Sequence, residues 1–263
     1  MSASEPGWLS QLRARAEQPP RRPRDALFIA GCASPVGSIE PGLADRLRAD
    51  GLPISANGEG WQIAGAADSA LGEVARHLSA HGLCGKWRNE LLAVTDDTLR
   101  RLAVIERAAV RPLGIATFAV HLIGFTPQGW VWVQQRALDK ATDPGQWDTL
   151  VGGLVAADES EALALERETW EEAGLRTDAL HGLAKVDRIS VRRPVREGYM
   201  VEHIDVFEAV VPEGMAPVNQ DGEVARFDCM KSDDLIERLA ADAFTLEAGL
   251  ILARSLARHG QRV

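Results

Sequence analysis

Glu168, Glu171 and Glu172 fall within five residues of one another in the run 153–175, GLVAADESEALALERETWEEAGL. If residues 159–174 are helical, Glu168 and Glu172 stand at i, i+4 and Glu171 at i+3 from Glu168, so all three carboxylates project from one side. Like charges at such spacing repel by a few tenths of a kcal/mol each. A solvated helix usually dilutes that repulsion with lysines, yet no lysine occurs between positions 141 and 184. Grouped carboxylates make sense around hard divalent cations, and magnesium takes oxygen ligands from one or two carboxylates, waters and phosphates. The chemistry in view is that of a metal-assisted phosphoryl site.

Three neighbouring features separate this helix from an ordinary Glu-rich surface helix. Gly152-Gly153 precedes it, and backbone lacking Cβ can come close to a metal or phosphate. Arg167 adjoins Glu168 and is placed to pair with Glu159, fixing the loop that presents the glycine carbonyl. Gly174 stands just past the carboxylates as a helix C-cap.

The rest of the chain divides in texture near Arg111-Pro112, which predicts an N-terminal α+β section over 1–112 and a second domain over 113–263. In the first, Trp8–Leu12 opens an amphipathic turn, Leu27–Gly31 and Trp61–Ile63 read as short strands, and 41–50 and 69–80 as helices. Leu99–Ile105 is expected to be helical. In the second, Phe118–Phe125 and Trp130–Gln135 form a hairpin about Pro127-Gln128-Gly129, His203–Val210 alternates as a strand, and Glu247–Arg258 is an apolar helix. Strands around one acidic helix predict an α+β or mixed α/β sandwich.

With 38 acidic against 29 basic residues the net charge is −9, so no nucleic-acid groove is expected, and an anionic substrate needs local help from bound cations. Cys32, Cys84 and Cys229 are odd in number and far apart, which argues against disulfides and structural zinc and for a reducing, cytoplasmic setting. No run of eighteen apolar residues and no leader pattern occurs, so no membrane span is expected.

The run 153–175 resembles the Nudix box: Gly153, five residues, Glu159, seven residues, then Arg167, Glu168, Thr169, Trp170, Glu171, Glu172, Ala173, Gly174 and Leu175. Its one departure is Thr169 where an aliphatic is usual. The resemblance covers about residues 113–263, including Trp147-Asp148, which commonly precede the glycine. It implies an α/β/α sandwich with a mixed sheet, and a diphosphatase acting by water attack at phosphorus in a small-molecule diphosphate. It also implies Mg²⁺ (or Mn²⁺) held by Glu168 and Glu172 with Glu171 and the Gly153 carbonyl in support, and an Arg167–Glu159 ion pair. Glu168 or Glu171, and Glu223 outside the box, are alternative general bases; the resemblance also admits a homodimer.

The N-terminal section, the box, Asp221-Gly222-Glu223-Val224 and Asp242-Ala243-Phe244-Thr245 together resemble the thiamine pyrophosphokinase-related subgroup. That implies thiamine diphosphate or its oxidised analogues as substrate, with Trp147 and Tyr199 among the aromatic residues available to stack on its ring. Alternatives are a hydrolase of ADP-ribose or NADH, a Nudix-like isomerase, which would require a nucleophilic cysteine, and a ligand-sensing module without turnover.

Overall fold

Phe118–Phe125 is apolar almost without interruption, the signature of a strand covered on both faces, and the second domain is built outward from it. The computed structural model describes residues 6–261. Elements run α1 (Gly7–Ala16), β1 (Asp25–Ile29), β2 (Gly37–Ile39), α2 (Pro41–Ala49), β3 (Ile54–Asn57), β4 (Gly60–Ile63), α3 (Ala67–Ala80), β5 (Leu91–Thr95) and β6 (Arg101–Glu106). They continue with β7 (Ala116–Phe125), β8 (Val131–Arg136), β9 (Trp147–Asp148), β10 (Val151–Leu154), α4 (Glu161–Ala173), β11 (His181–Val195), β12 (Gly198–Val210), β13 (Val224–Met230), α5 (Ser232–Ala240) and α6 (Leu246–Arg258).

The large sheet is seven-stranded and mixed, with path β11-β12-β7-β8-β13; β10 joins β7 and β9 joins β8. Only the β12–β7 pairing is parallel. Along β7 the residues alternate between two cores. Ala119 and Ile123 pack towards α5 and α6, whereas Val120 and Leu122 pack with Ala164 and Leu165 of α4. The α/β/α sandwich follows, with the acidic helix forming one outer layer.

The N-terminal section is a smaller α+β unit. Its sheet runs β2-β1-β4-β3, with β5 and β6 as a separate hairpin, and Leu27, Leu47, Ile63, Leu71 and Leu78 centre its core. Residues 101–106 form a strand, not the expected helix: Ala103 and Ile105 turn inward while Arg101, Leu102 and Val104 are more open, a period-two burial that pairing with β5 satisfies. The sandwich also holds β11, β13 and α5, which the apolar pattern did not single out.

The two parts are joined by hydrogen bonds as well as by chain. Arg101 Nη1 donates to the Ala157 carbonyl at 2.6 Å, and the Ala157 amide donates to the Leu91 carbonyl at 2.8 Å. The first helix belongs structurally to the sandwich: Leu9, Leu12 and Ala16 lie in its core against α6. Gly249 lets that contact form, because a Cβ there would lie 3.1 Å from Leu12 Cδ2. Leu12→Ala is therefore expected to destabilise the sandwich by about 2–5 kcal/mol, measured by urea unfolding; an unchanged midpoint would mean that α1 is not part of that core.

Candidate active site

Helix α4 begins at Ser160, whose hydroxyl accepts from the Leu163 amide, and ends at Gly174 in the left-handed region with φ 61°. A Cβ at Gly174 would lie 2.7 Å from the Val218 carbonyl oxygen, so a larger residue would collide with backbone as well as strain the cap. The helix buries Ala164, Leu165, Thr169, Glu172 and Ala173 against the sheet. Glu172 thus sits on the apolar face, and the Thr169 hydroxyl beside it is buried without a partner among the described residues.

A buried carboxylate needs donors. Glu172 Oε2 receives the Gly152 amide and Gln134 Nε2, each at 2.9 Å. Burial, with Glu168 adding like charge, still pushes the Glu172 carboxyl up to about 8, and burial raises Glu168 too. The preceding loop is cut to fit these groups. A Cβ at Gly153 would lie 2.0 Å from the Glu168 carboxyl carbon, and one at Gly152 would lie 2.5 Å from the His121 ring. A side chain at Gly153 would displace the Glu168 carboxylate, and one at Gly152 the His121 ring.

Arg167 ties the assembly together. Its Nε and Nη2 donate to the two oxygens of Glu159 at 2.6 and 2.9 Å, and Nη2 also reaches the Leu154 carbonyl at 3.1 Å. Its Nη1 donates to Glu168 Oε1 at 2.7 Å and Glu171 Oε2 at 3.1 Å. One guanidinium therefore links the β10 loop to two helix carboxylates, and it holds the Glu159 carboxyl below its ordinary value.

A cleft of about 420 Å³ opens beside this helix, and Gly153, Glu168, Glu172 and Glu223 line it. Glu223 is ion-paired with Lys140, and that ammonium holds its carboxyl low against the opposing effect of burial. Glu171 lies outside the cleft lining, its side chain 43% exposed and turned to Arg167. Two expected contacts are not made. Trp147 is a core residue, 5% exposed and flanked by the Arg226 and Arg238 guanidinium groups, because its backbone bridges to Phe244 at the entry to α6. Tyr199 points elsewhere, its hydroxyl donating to the Gln18 carbonyl at 2.8 Å.

Several lining residues carry no motif signal. His121, in the middle of β7, is buried and its imidazole held low by burial. The Thr149 hydroxyl donates to the Val151 carbonyl, so it accepts from His121 Nδ1 at 2.8 Å, which places a ring proton on Nδ1. Arg111 pairs with Glu202 at 2.9 Å and Arg193 with Glu247 at 3.3 Å, both within the cleft. These residues sit in strands, in the linker before β7 and in the first turn of α6, and only the folded structure gathers them.

For a divalent cation, the described residues offer no group of three or more His, Cys, Asp or Glu side chains converging on one point. They offer instead two adjacent carboxylates, Glu168 and Glu172, raised by burial, beside Gly153 in the cleft lining. That donor set is all oxygen and matches the one or two protein carboxylates that magnesium usually takes, so the residues fit the ion.

The NUDIX domain model matches residues 114–249. The chain is 28% identical over 196 residues to "Nudix hydrolase 24, chloroplastic" of Arabidopsis thaliana, covering 73% of this chain and 54% of that one. It is 26% identical over 170 residues to an isopentenyl-diphosphate Delta-isomerase of Corynebacterium glutamicum, covering 62% and 87%. DR0079 from Deinococcus radiodurans shares the fold with a TM-score of 0.51 at 22% identity, over 62% of this chain and 98% of that structure. The chain spans about half the length of the first curated relatives it matches. Among the described residues no helix is long and apolar enough to cross a membrane.

Because the folded Glu172 carboxyl titrates at about 8 against an ordinary 4.5, it keeps its proton over a pH range where the unfolded chain has lost it. Its contribution in the metal-free protein is full below pH 4.5 and is lost as pH rises to about 8. Glu172→Gln should flatten that fall in stability, measured by denaturant titration across the range in chelator.

Proposed function

This chain belongs to the Nudix family, and we propose that it is a Mg²⁺- or Mn²⁺-dependent pyrophosphohydrolase that cleaves a phosphoanhydride in a small organic diphosphate. The observation that carries the reading is the pair of adjacent carboxylates, buried Glu172 and part-buried Glu168, opening onto a cleft also lined by basic side chains. Burying two like charges together is costly unless a cation joins them. Glu168, Glu172 and the Gly153 carbonyl would hold it. When bound, the cation supplies charge neutralisation on the diphosphate and acidification of water.

The chain's own residues orient and accept. Arg167 holds Glu168 and the β10 loop in one geometry, which spares the site that ordering cost at each turnover. Glu223 is kept ionised by Lys140 and lies within electrostatic reach of Glu168. With Glu168 committed to the cation, Glu223 is the acceptor we assign to the proton of the attacking water. The water oxygen bonds to phosphorus, the bridging P–O bond breaks, and the organic monophosphate leaves with phosphate.

Within this class the finer reading is thiamine diphosphate or its oxidised analogues, supported by the likeness of the N-terminal section and of segments 221–224 and 242–245 to thiamine pyrophosphokinase-related proteins. Among the described residues no Trp, Tyr or Phe lines the cleft, so the organic group would rest on Met200, Val195 and the guanidinium planes of Arg111 and Arg193. None of the three cysteines lines it either, which speaks against the isomerase reading.

The test is hydrolysis with Mg²⁺, read as phosphate release from thiamine diphosphate and its oxidised analogues and as formation of the two organic monophosphates from ADP-ribose, NADH and nucleotide sugars. Turnover of at least one is expected, abolished in Glu172→Gln and reduced chiefly in kcat in Glu223→Gln. Binding without turnover across the panel would make the chain a sensing module, and full activity in folded Glu172→Gln would reject the metal assignment.

A further inference from the structure

The cleft is not made by the Nudix domain alone. Gly85, Lys86, Arg88, Arg107, Ala108, Val110 and Arg111 of the N-terminal section line it too, and the four charged residues among them are all basic. In a chain of net charge −9, an all-cationic wall facing a phosphate site is out of keeping with the average surface. Two of the four are already spent: Arg107 pairs with Glu90 at 2.7 Å and Arg111 with Glu202 at 2.9 Å. Among the described residues neither the Lys86 ammonium nor the Arg88 guanidinium meets a carboxylate.

Their loop is held rather than loose. Glu106, only 3% exposed, gives one carboxylate oxygen to the Arg88 amide at 2.7 Å and the other to the Glu90 amide at 3.2 Å. Asn89 adopts a left-handed φ of 58°, and its side-chain oxygen accepts from Trp87 Nε1 at 2.8 Å. A buried charge spent on two loop amides, together with a strained backbone residue, costs stability. That cost is intelligible where a loop must present its side chains in one place.

We propose that the N-terminal section forms half of the substrate site, with Lys86 and Arg88, on the loop pinned by Glu106, binding the diphosphate oxygens that the cation leaves uncompensated. The proposal rests on the pyrophosphohydrolase reading above for its ligand. An ammonium and a guanidinium suit that ligand: both are point or forked donors to phosphate oxygen, and their hydrogen bonds are charge-assisted. Glu106 is a positioning residue, touching the loop and not the ligand.

The experiment compares the full chain with Lys86→Gln/Arg88→Gln, and with Arg46→Gln/Arg48→Gln, which makes the same charge change outside the cleft. Binding of inorganic pyrophosphate is measured by calorimetry at saturating Mg²⁺ over a range of salt, and KM and kcat are measured on whichever panel substrate the wild type turns over. The cleft variant is expected to bind pyrophosphate about tenfold or more weakly, with a shallower salt dependence, and to lose its efficiency in KM rather than kcat. The outer variant should match wild type. Glu106→Gln, folded by circular dichroism, should reproduce part of the KM rise.

Equal pyrophosphate affinity in the cleft variant and wild type overturns the proposal, as does an equal loss in the outer variant, which would reduce the effect to the general field. If the wild type turns over nothing in the panel but binds pyrophosphate through Lys86 and Arg88, the anion site stands and the hydrolase reading falls.

Discussion

A carboxylate on the apolar face of a helix is the constraint around which this molecule is arranged. Glu172 occupies a position that, by burial, belongs to the core, and Glu168 adds a second negative charge one turn away. Neither would be tolerated by packing alone. The Gly152 amide and Gln134 stabilise Glu172, Arg167 offsets Glu168, and two consecutive glycines clear the volume in which the carboxylates and the His121 ring sit. The N-cap at Ser160 and the left-handed cap at Gly174 then set the length of the helix that carries them. Each device is local, yet each serves the same electrostatic requirement.

That requirement also explains the layering. Glu172 can be both buried and close to solvent-filled space only because β10 adds to β7 beside the helix, so that its loop forms the rim of a cleft. The sheet contributes the remaining polar groups, with Asp148, Glu202 and Glu247 each meeting an arginine across the same space. The cleft is thus a lattice of compensated charges. A ligand that brings negative charge must find cations not already engaged, and those lie on the N-terminal side.

The two parts of the chain are accordingly interdependent. Helix α1 leaves the N-terminal section to pack on α6, while the 85–88 loop returns to the cleft. The Nudix likeness covers the sandwich, and a fold of this kind carries many chemistries through the residues grafted onto it. Here the graft includes a whole preceding unit, whose contribution is a wall of one sign of charge.

The box helix was legible in the sequence because its determinants are short-range. The i, i+4 spacing of Glu168 and Glu172, the Arg167–Glu159 pairing and the Gly174 cap all lie within sixteen residues, and helical periodicity converts such spacing directly into geometry. The apolar run of β7 was legible for the same reason. Residues 101–106 were not, since a short apolar stretch fits helix or strand until a partner such as β5 decides. Trp147 and Tyr199 had the right side chains for ring stacking, but their direction depends on which neighbours their strands acquire, and those neighbours are Phe244 and Gln18. Lys86, Arg88, His121, Glu202 and Glu247 are separated by up to 161 positions, and no local rule relates them. Sequence alone set Glu168 and Glu172 one helical turn apart; the tertiary structure decided what surrounds them, because a cleft is a property of long-range packing.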